Sequence, residues 1–163
     1  MEYKGVEFEA IVATPGCGKS YLCNKYSQFI DVDKERLKCK YLVSENITQA
    51  EIEAIKGNDK LKIRANDQEF IETLYKKLDK FVAEGKILIV EPHPESIEYL
   101  IKNNIKFCFV YPAKEMKQEI INRMKDRGNS EQHVKKNEEV FEKYYEIHKN
   151  EKRSAINIEL SNG

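Results

Sequence analysis

Residues 13–20 read A-T-P-G-C-G-K-S, and they stand where an apolar run gives way to a helical pattern. Binding a phosphate needs several backbone N–H groups aimed at one point, together with a cation. A glycine-rich turn entering a helix supplies the amides, and the helix start adds positive potential. Gly16 and Gly18 let the backbone curl, Lys19 can reach the β and γ phosphates, and the Ser20 hydroxyl suits Mg²⁺. Thr14, Pro15, Cys17 and Tyr21 complete the segment expected to contact ATP. The usual pattern starts with glycine. Here Ala13 holds that place, and its methyl group is tolerable when φ is negative. Cys17 lies near Lys19 and a helix start, a setting that lowers a thiol pKa and favours oxidation. The competing reading makes it a freely variable loop position.

Outward from this loop, apolar runs at 8–13, 29–32, 86–90 and 106–111 read as buried strands, and 156–160 as a weaker fifth. They are apolar throughout and do not alternate cleanly, which suits a parallel sheet covered on both faces. Helical patterns fall between them. Lys19 opens one that runs to Ser27. Thr48 with Glu51 resembles a capping box, and Gly57 can end that short helix. Asn66 with Glu69 repeats the signal ahead of a stripe formed by Phe70, Ile71, Leu74, Leu78, Phe81 and Val82, which Gly85 stops. Pro94 suits a first helical position, with Ile97, Leu100 and Ile101 facing inward. Met116, Ile120, Ile121 and Met124 mark another helix up to Gly128. Ser130 can cap a last one carrying Val134, Phe141, Tyr145 and His148. Strands alternating with helices predict an α/β sandwich with right-handed crossovers. The polar stretch 40–65 reads as an insertion over the sheet.

Composition bounds the function. The 163 residues suit a single domain, and Lys plus Arg equals Asp plus Glu at 28 each. Charge therefore favours no nucleic-acid partner, and no basic-aromatic stripe is present. No apolar run approaches the roughly 18 residues needed to span a bilayer. The first residues are polar and lack a leader's apolar region, so a cytoplasmic location is expected. None of the four cysteines forms a C-x-x-C pair or a zinc pattern with a nearby histidine. No N-K-x-D motif for guanine occurs, which argues against a GTP switch.

Acids and arginines follow the strands. Asp31 and Asp33 flank Val32 at the end of the second run, where open α/β sheets bind ligands. Two carboxylates there can hold Mg²⁺ through water or orient a phosphoryl acceptor; alternatively, Asp33 caps a helix. Glu91 ends the third run, as an acid near the metal does in a Walker-B-like strand, and His93 is either a contact for the acceptor or a satisfied loop histidine. Arg123 and Arg127 lie four apart on one helix face. Gly128-Asn129 follows as a hinge, so the pair fits a mobile lid. The competing reading is a solvated helix end. Arg36 and Arg64 are candidates for the acceptor phosphate.

Together these pieces resemble P-loop kinases of the nucleoside monophosphate kinase and shikimate kinase type. F-I-D-V-D-K-E, residues 29–35, looks like the F-x-D-x-D segment that such kinases carry. E-P-H-P, residues 91–94, sits where nucleotide kinases often carry D-G-x-P-R; Glu replaces the acid, and both Gly and Arg are missing. R-M-K-D-R-G-N, residues 123–129, is similar to an arginine-bearing lid. The order of the pieces also resembles small phage-encoded nucleotide kinases over roughly residues 6–150. The resemblance implies a three-layer sandwich on a parallel five-stranded sheet of order 2-3-1-4-5, a small lid at about 123–132 and an acceptor-binding insertion at about 36–66. It implies transfer of the ATP γ-phosphate, with Mg²⁺, to a nucleoside monophosphate or another small acceptor. Lys19, Asp33, Arg123 and Arg127 would carry the catalysis. Ser20 would hold the metal, with Asp33 and Glu91 acting through water. Two other readings stay open: a kinase of a different hydroxyl acceptor or polynucleotide end, and an ATP-binding module that transfers nothing.

Overall fold

The computed structural model describes residues 1–41, 48, 50 and 67–161. Five strands form the main sheet: β3 (Ala10–Ala13), β4 (Phe29–Asp31), β5 (Ile87–Val90), β6 (Phe107–Pro112) and β7 (Ile156–Leu160). All their pairings are parallel, in the order β4-β5-β3-β6-β7. Two short strands precede them, β1 (Glu2–Tyr3) and β2 (Val6–Glu7), as an antiparallel hairpin. Lys4 and Gly5 turn it with φ of 48° and 79°. Hydropathy gives no sign of this hairpin, because none of its four paired residues is buried.

Six α-helices accompany the sheet among the described residues: α1 (Lys19–Lys25), α2 (Val32–Tyr41), α3 (Asp67–Ala83), α4 (Pro94–Lys102), α5 (Lys117–Asp126) and α6 (Glu131–Lys149). The architecture is α/β, compatible with a three-layer sandwich. Ala10, Val12, Leu88, Val90, Phe107 and Phe109 pack with Phe70, Leu74 and Leu78 of α3 and Ile97 and Leu100 of α4. Each large side chain so enclosed contributes about 1.5–3 kcal/mol relative to exposure. A second cluster joins Met116, Ile120, Ile121, Met124 and Val134, with Phe141 and Leu160 against it.

The ends of the helices follow local chemistry. Pro94 opens α4 and holds the preceding His93 extended, at φ −83° and ψ 141°. Ser130 Oγ accepts the His133 N–H at 3.2 Å to start α6. Gly128, at φ 79°, closes α5: its N–H bonds Lys125 O at 3.0 Å and the Asn129 N–H bonds Met124 O at 3.2 Å. Gly128-Asn129, expected as a hinge, forms a hydrogen-bonded helix stop.

Three expectations need correction. Val82 and Ile101 are exposed rather than inward. Each follows a buried or half-buried neighbour, Phe81 or Leu100, by one residue, and one residue turns a helix by about 100°. Asp31 and Asp33 do not share a strand, because β4 ends at Asp31 and α2 begins at Val32. Asp31 Oδ1 accepts the Asp33 N–H at 3.1 Å, which bends the chain into the helix. The turn-capping carboxylate is therefore Asp31, not Asp33. The first part of the expected insertion, residues 36–41, is helical. Arg64, Asn66 and the helix expected between Thr48 and Gly57 rest on residues outside the described set. No helix among the described residues is long and apolar enough to cross a membrane.

Candidate functional site

The chain leaves β3, visits β4 and β5 on one side, then crosses to β6 and β7 on the other. The loop after β3 therefore lies at the switch point, beyond the carboxyl ends of the strands, where open sheets form clefts. Ala13 is still within β3, paired with Val110 and buried. Positive φ outside glycine is confined to Lys4 and Asn104 among the described residues, so Ala13 meets the condition its methyl group sets.

Gly16 and Gly18 both adopt left-handed backbone, at φ 83° and 87°. For Gly16 the requirement is double. A Cβ there would stand 2.8 Å from Ile120 Cγ2 and 3.0 Å from its Cδ1. The loop therefore lies directly on α5. Gly16→Ala is expected to destabilise the fold by about 1–3 kcal/mol through overpacking and φ strain. Adding Ile120→Ala should remove the clash but not the strain. Urea denaturation of the single and double variants checks this, and an unchanged midpoint in Gly16→Ala would contradict the packing.

Lys19, 7 % exposed, sits at the centre. Its Nζ donates to Thr14 O at 3.0 Å and pairs with Glu91 Oε1 at 3.3 Å. It thus ties the loop to the end of β5. Glu91 Oε2 faces His93 Nε2 at 3.4 Å, and Asp33 Oδ1 lies 3.5 Å from the same nitrogen. Asp33 is 6 % exposed, in the first turn of α2. The structure thus gathers Lys19, Asp33, and the Glu91–His93 pair from three separate segments.

Burial pulls the His93 imidazole down, but hydrogen bonds to Asp33 and Glu91 outweigh it, and its pKa rises above 6.5. The folded value lies above the unfolded one, so His93 adds stability that is complete below the unfolded pKa. That stability is lost as pH rises through the folded pKa. An NMR titration of its ring should show a midpoint above 6.5, and Asp33→Asn should move it down. A wild-type midpoint at or below 6.5 would contradict the pairing.

On the other side of the loop, Arg123 Nη1 donates to Gly16 O at 2.8 Å, while Nη2 bonds Glu119 Oε1 one turn back. Arg127 and Ser20 border the same open depression as Gly16, Gly18, Tyr21 and Arg123. Tyr21 is exposed. Arg123 and Arg127 border this depression together with Asp126, whereas Asp33 and Glu91 group with Lys19 and His93.

Arg36 and Cys17 are placed differently from expectation. Arg36 is buried, bonded to Glu95 at the start of α4, with its guanidinium 5.6 Å from the Phe70 ring centre. Burial raises the Glu95 carboxyl, yet Arg36 prevails and holds it below the usual range. Arg36 therefore pins α2 to α3 and α4. Burial pushes the Cys17 thiol up, against the opposing pull of its Thr14 hydrogen bond and of Lys19 and Arg123. The sequence setting pointed to a lowered value, and desolvation overrides it.

Sequence reasoning missed three partners: Glu95, Glu119 and the carbonyl of Gly16. The i,i+4 spacing of Glu119 and Arg123 was a usable signal; nothing local marks the other two.

The fold and site together define an α/β domain whose strand ends face a glycine loop with Lys19 held against the carboxylate of Glu91. No family model matches the chain, and no curated protein matches it.

Proposed function

We propose that the protein is an ATP-dependent phosphotransferase whose acceptor is a nucleoside or deoxynucleoside monophosphate. The observation that carries this reading is the placement of the buried Lys19 ammonium between the glycine turn and Glu91. A triphosphate in the turn would meet Lys19, and the loop carbonyl and carboxylate would yield their hold on it. The sheet order, counted along the parallel strands as 2-3-1-4-5, supports the reading, as do Arg123 and Arg127 across the loop.

A phosphate beside two carboxylates is repelled unless a cation intervenes. The donors available, the Ser20 hydroxyl and the Asp33 and Glu91 carboxylates, are hard oxygens that fit Mg²⁺. Ser20, and through water Asp33 and Glu91, would hold Mg²⁺, which would supply positive charge against the phosphates. Lys19 and Arg123 stabilise charge on the transferred group, and Asp33 orients the acceptor. The chain performs little covalent chemistry; it positions and neutralises. Use of ATP and Mg²⁺ suits a cytoplasmic setting.

A coupled ADP-release screen across the natural nucleoside monophosphates tests the proposal. One or more acceptors should raise ADP formation well above the ATP-only rate. Should none do so, the acceptor assignment falls. Tight ATP binding without turnover would instead favour a nucleotide-binding module.

A further inference from the structure

The Mg²⁺ role proposed above does not use the His93 imidazole, which stands between the buried Asp33 and the partly buried Glu91. Its Nε2 lies 3.4 Å from Glu91 Oε2 and 3.5 Å from Asp33 Oδ1. One ligand atom from each of the three residues lies within 4.8 Å of the others. Donors about 2.0–2.1 Å from a tetrahedral ion stand roughly 3.3–3.4 Å apart, so two of these separations nearly match a tetrahedron's edge.

The three groups are also held in place. His93 lies between Pro92 and Pro94, with its N–H on Glu91 O at 2.7 Å. Its own carbonyl accepts the Ser96 and Ile97 N–H groups, both at 3.1 Å. Lys19 takes Glu91 Oε1, which turns Oε2 toward the imidazole. Asp33 is buried in the first turn of α2. Two carboxylates balance a dication. The imidazole nitrogen selects transition metals over Mg²⁺, which prefers six oxygen ligands.

We propose that Asp33 Oδ1, Glu91 Oε2 and His93 Nε2 form a binding site for a divalent transition-metal ion of the Zn²⁺ class, with water completing the tetrahedron. The site does not depend on phosphoryl transfer. It goes beyond the Mg²⁺ role above in using the imidazole as a direct ligand.

Co²⁺ is the probe, because a tetrahedral Co²⁺ complex absorbs visible light strongly and an octahedral one weakly. The chelator-treated full chain is titrated with Co²⁺ at about pH 8, where a free histidine is neutral. One equivalent should bind with a tetrahedral spectrum, and Zn²⁺ should displace it. A millimolar excess of Mg²⁺ should not. No thiolate-to-metal absorption should appear, which separates this site from Cys17 or Cys23. His93→Ala should weaken Co²⁺ binding at least tenfold, a roughly 1.4 kcal/mol loss. His93→Gln, which keeps a polar side chain, guards against misfolding and should weaken binding as well. Thermal unfolding without metal shows that each variant is folded.

No saturable binding below about 100 µM would overturn the proposal. So would a thiolate band, an octahedral spectrum, or unchanged binding in both His93 variants. The ADP-release screen with Mg²⁺ alone is independent, so either conclusion can fail without the other.

Discussion

Lys19→Ala should lower kcat/KM for ATP by roughly 10²- to 10³-fold, about 2.7–4 kcal/mol of transition-state stabilisation. Lys19 is 7 % exposed, and its ammonium bonds Thr14 O and pairs with Glu91 across the loop mouth. In so dry a setting a single cation counts for much more than in water. Alanine also leaves the Glu91 carboxylate without its ammonium, so stability should drop by about 1–3 kcal/mol. His93, on the other oxygen of Glu91, limits that loss. Lys19→Arg should not rescue activity, because a planar guanidinium is broader than the slot built for a point charge. Calorimetry with ATP and steady-state turnover, on protein shown to be folded by thermal melts, check both parts. Full nucleotide affinity and activity in Lys19→Ala would remove the foundation of the functional proposal.

Arg123→Ala should lower kcat by roughly 10²- to 10³-fold while costing little stability, at or below the bottom of the roughly 10³- to 10⁵-fold range that phosphate-clamping arginines command. Its ion pair with Glu119 is between side chains 42 % and 39 % exposed, and such pairs contribute about 0–1 kcal/mol. The value of Arg123 therefore lies in what it faces. Nη1 holds the Gly16 carbonyl, so it shapes the turn, and the rest of the fork borders the open side of the loop. Arg123→Lys keeps charge but loses the planar fork and should recover only part of the rate. Arg127, on the outer end of the same helix face, should matter less when truncated. Turnover within about threefold of wild type in Arg123→Ala would reduce Arg123 to a structural prop.

Much of this was legible locally. Strand runs and stripes such as Phe70-Leu74-Leu78 announce themselves through periodicity, because burial on one side of a helix repeats every turn. Gly16 and Gly18 read as turn residues because a left-handed φ is cheap only for glycine. Reading failed where the deciding term was distant. The Cys17 thiol was judged by its neighbours in the chain, but burial under the packed loop governs its proton. Arg36 looked like a free cation for an acceptor until α4 brought Glu95 against it, 59 residues away.

The sequence alone determined that a strand feeds a glycine turn and a Lys-Ser helix start, since those states depend on backbone sterics and neighbouring hydrophobicity. It also determined which residue types follow the strands. Only the tertiary structure decided who meets whom: Arg123 reaches Gly16 across 107 residues, and Glu91 and His93 come to Asp33 from another strand end. The reason is geometric. In a parallel sheet neighbouring strands are never joined by tight turns, so which strand ends share a cleft is set by the order in which helical crossovers lay them side by side.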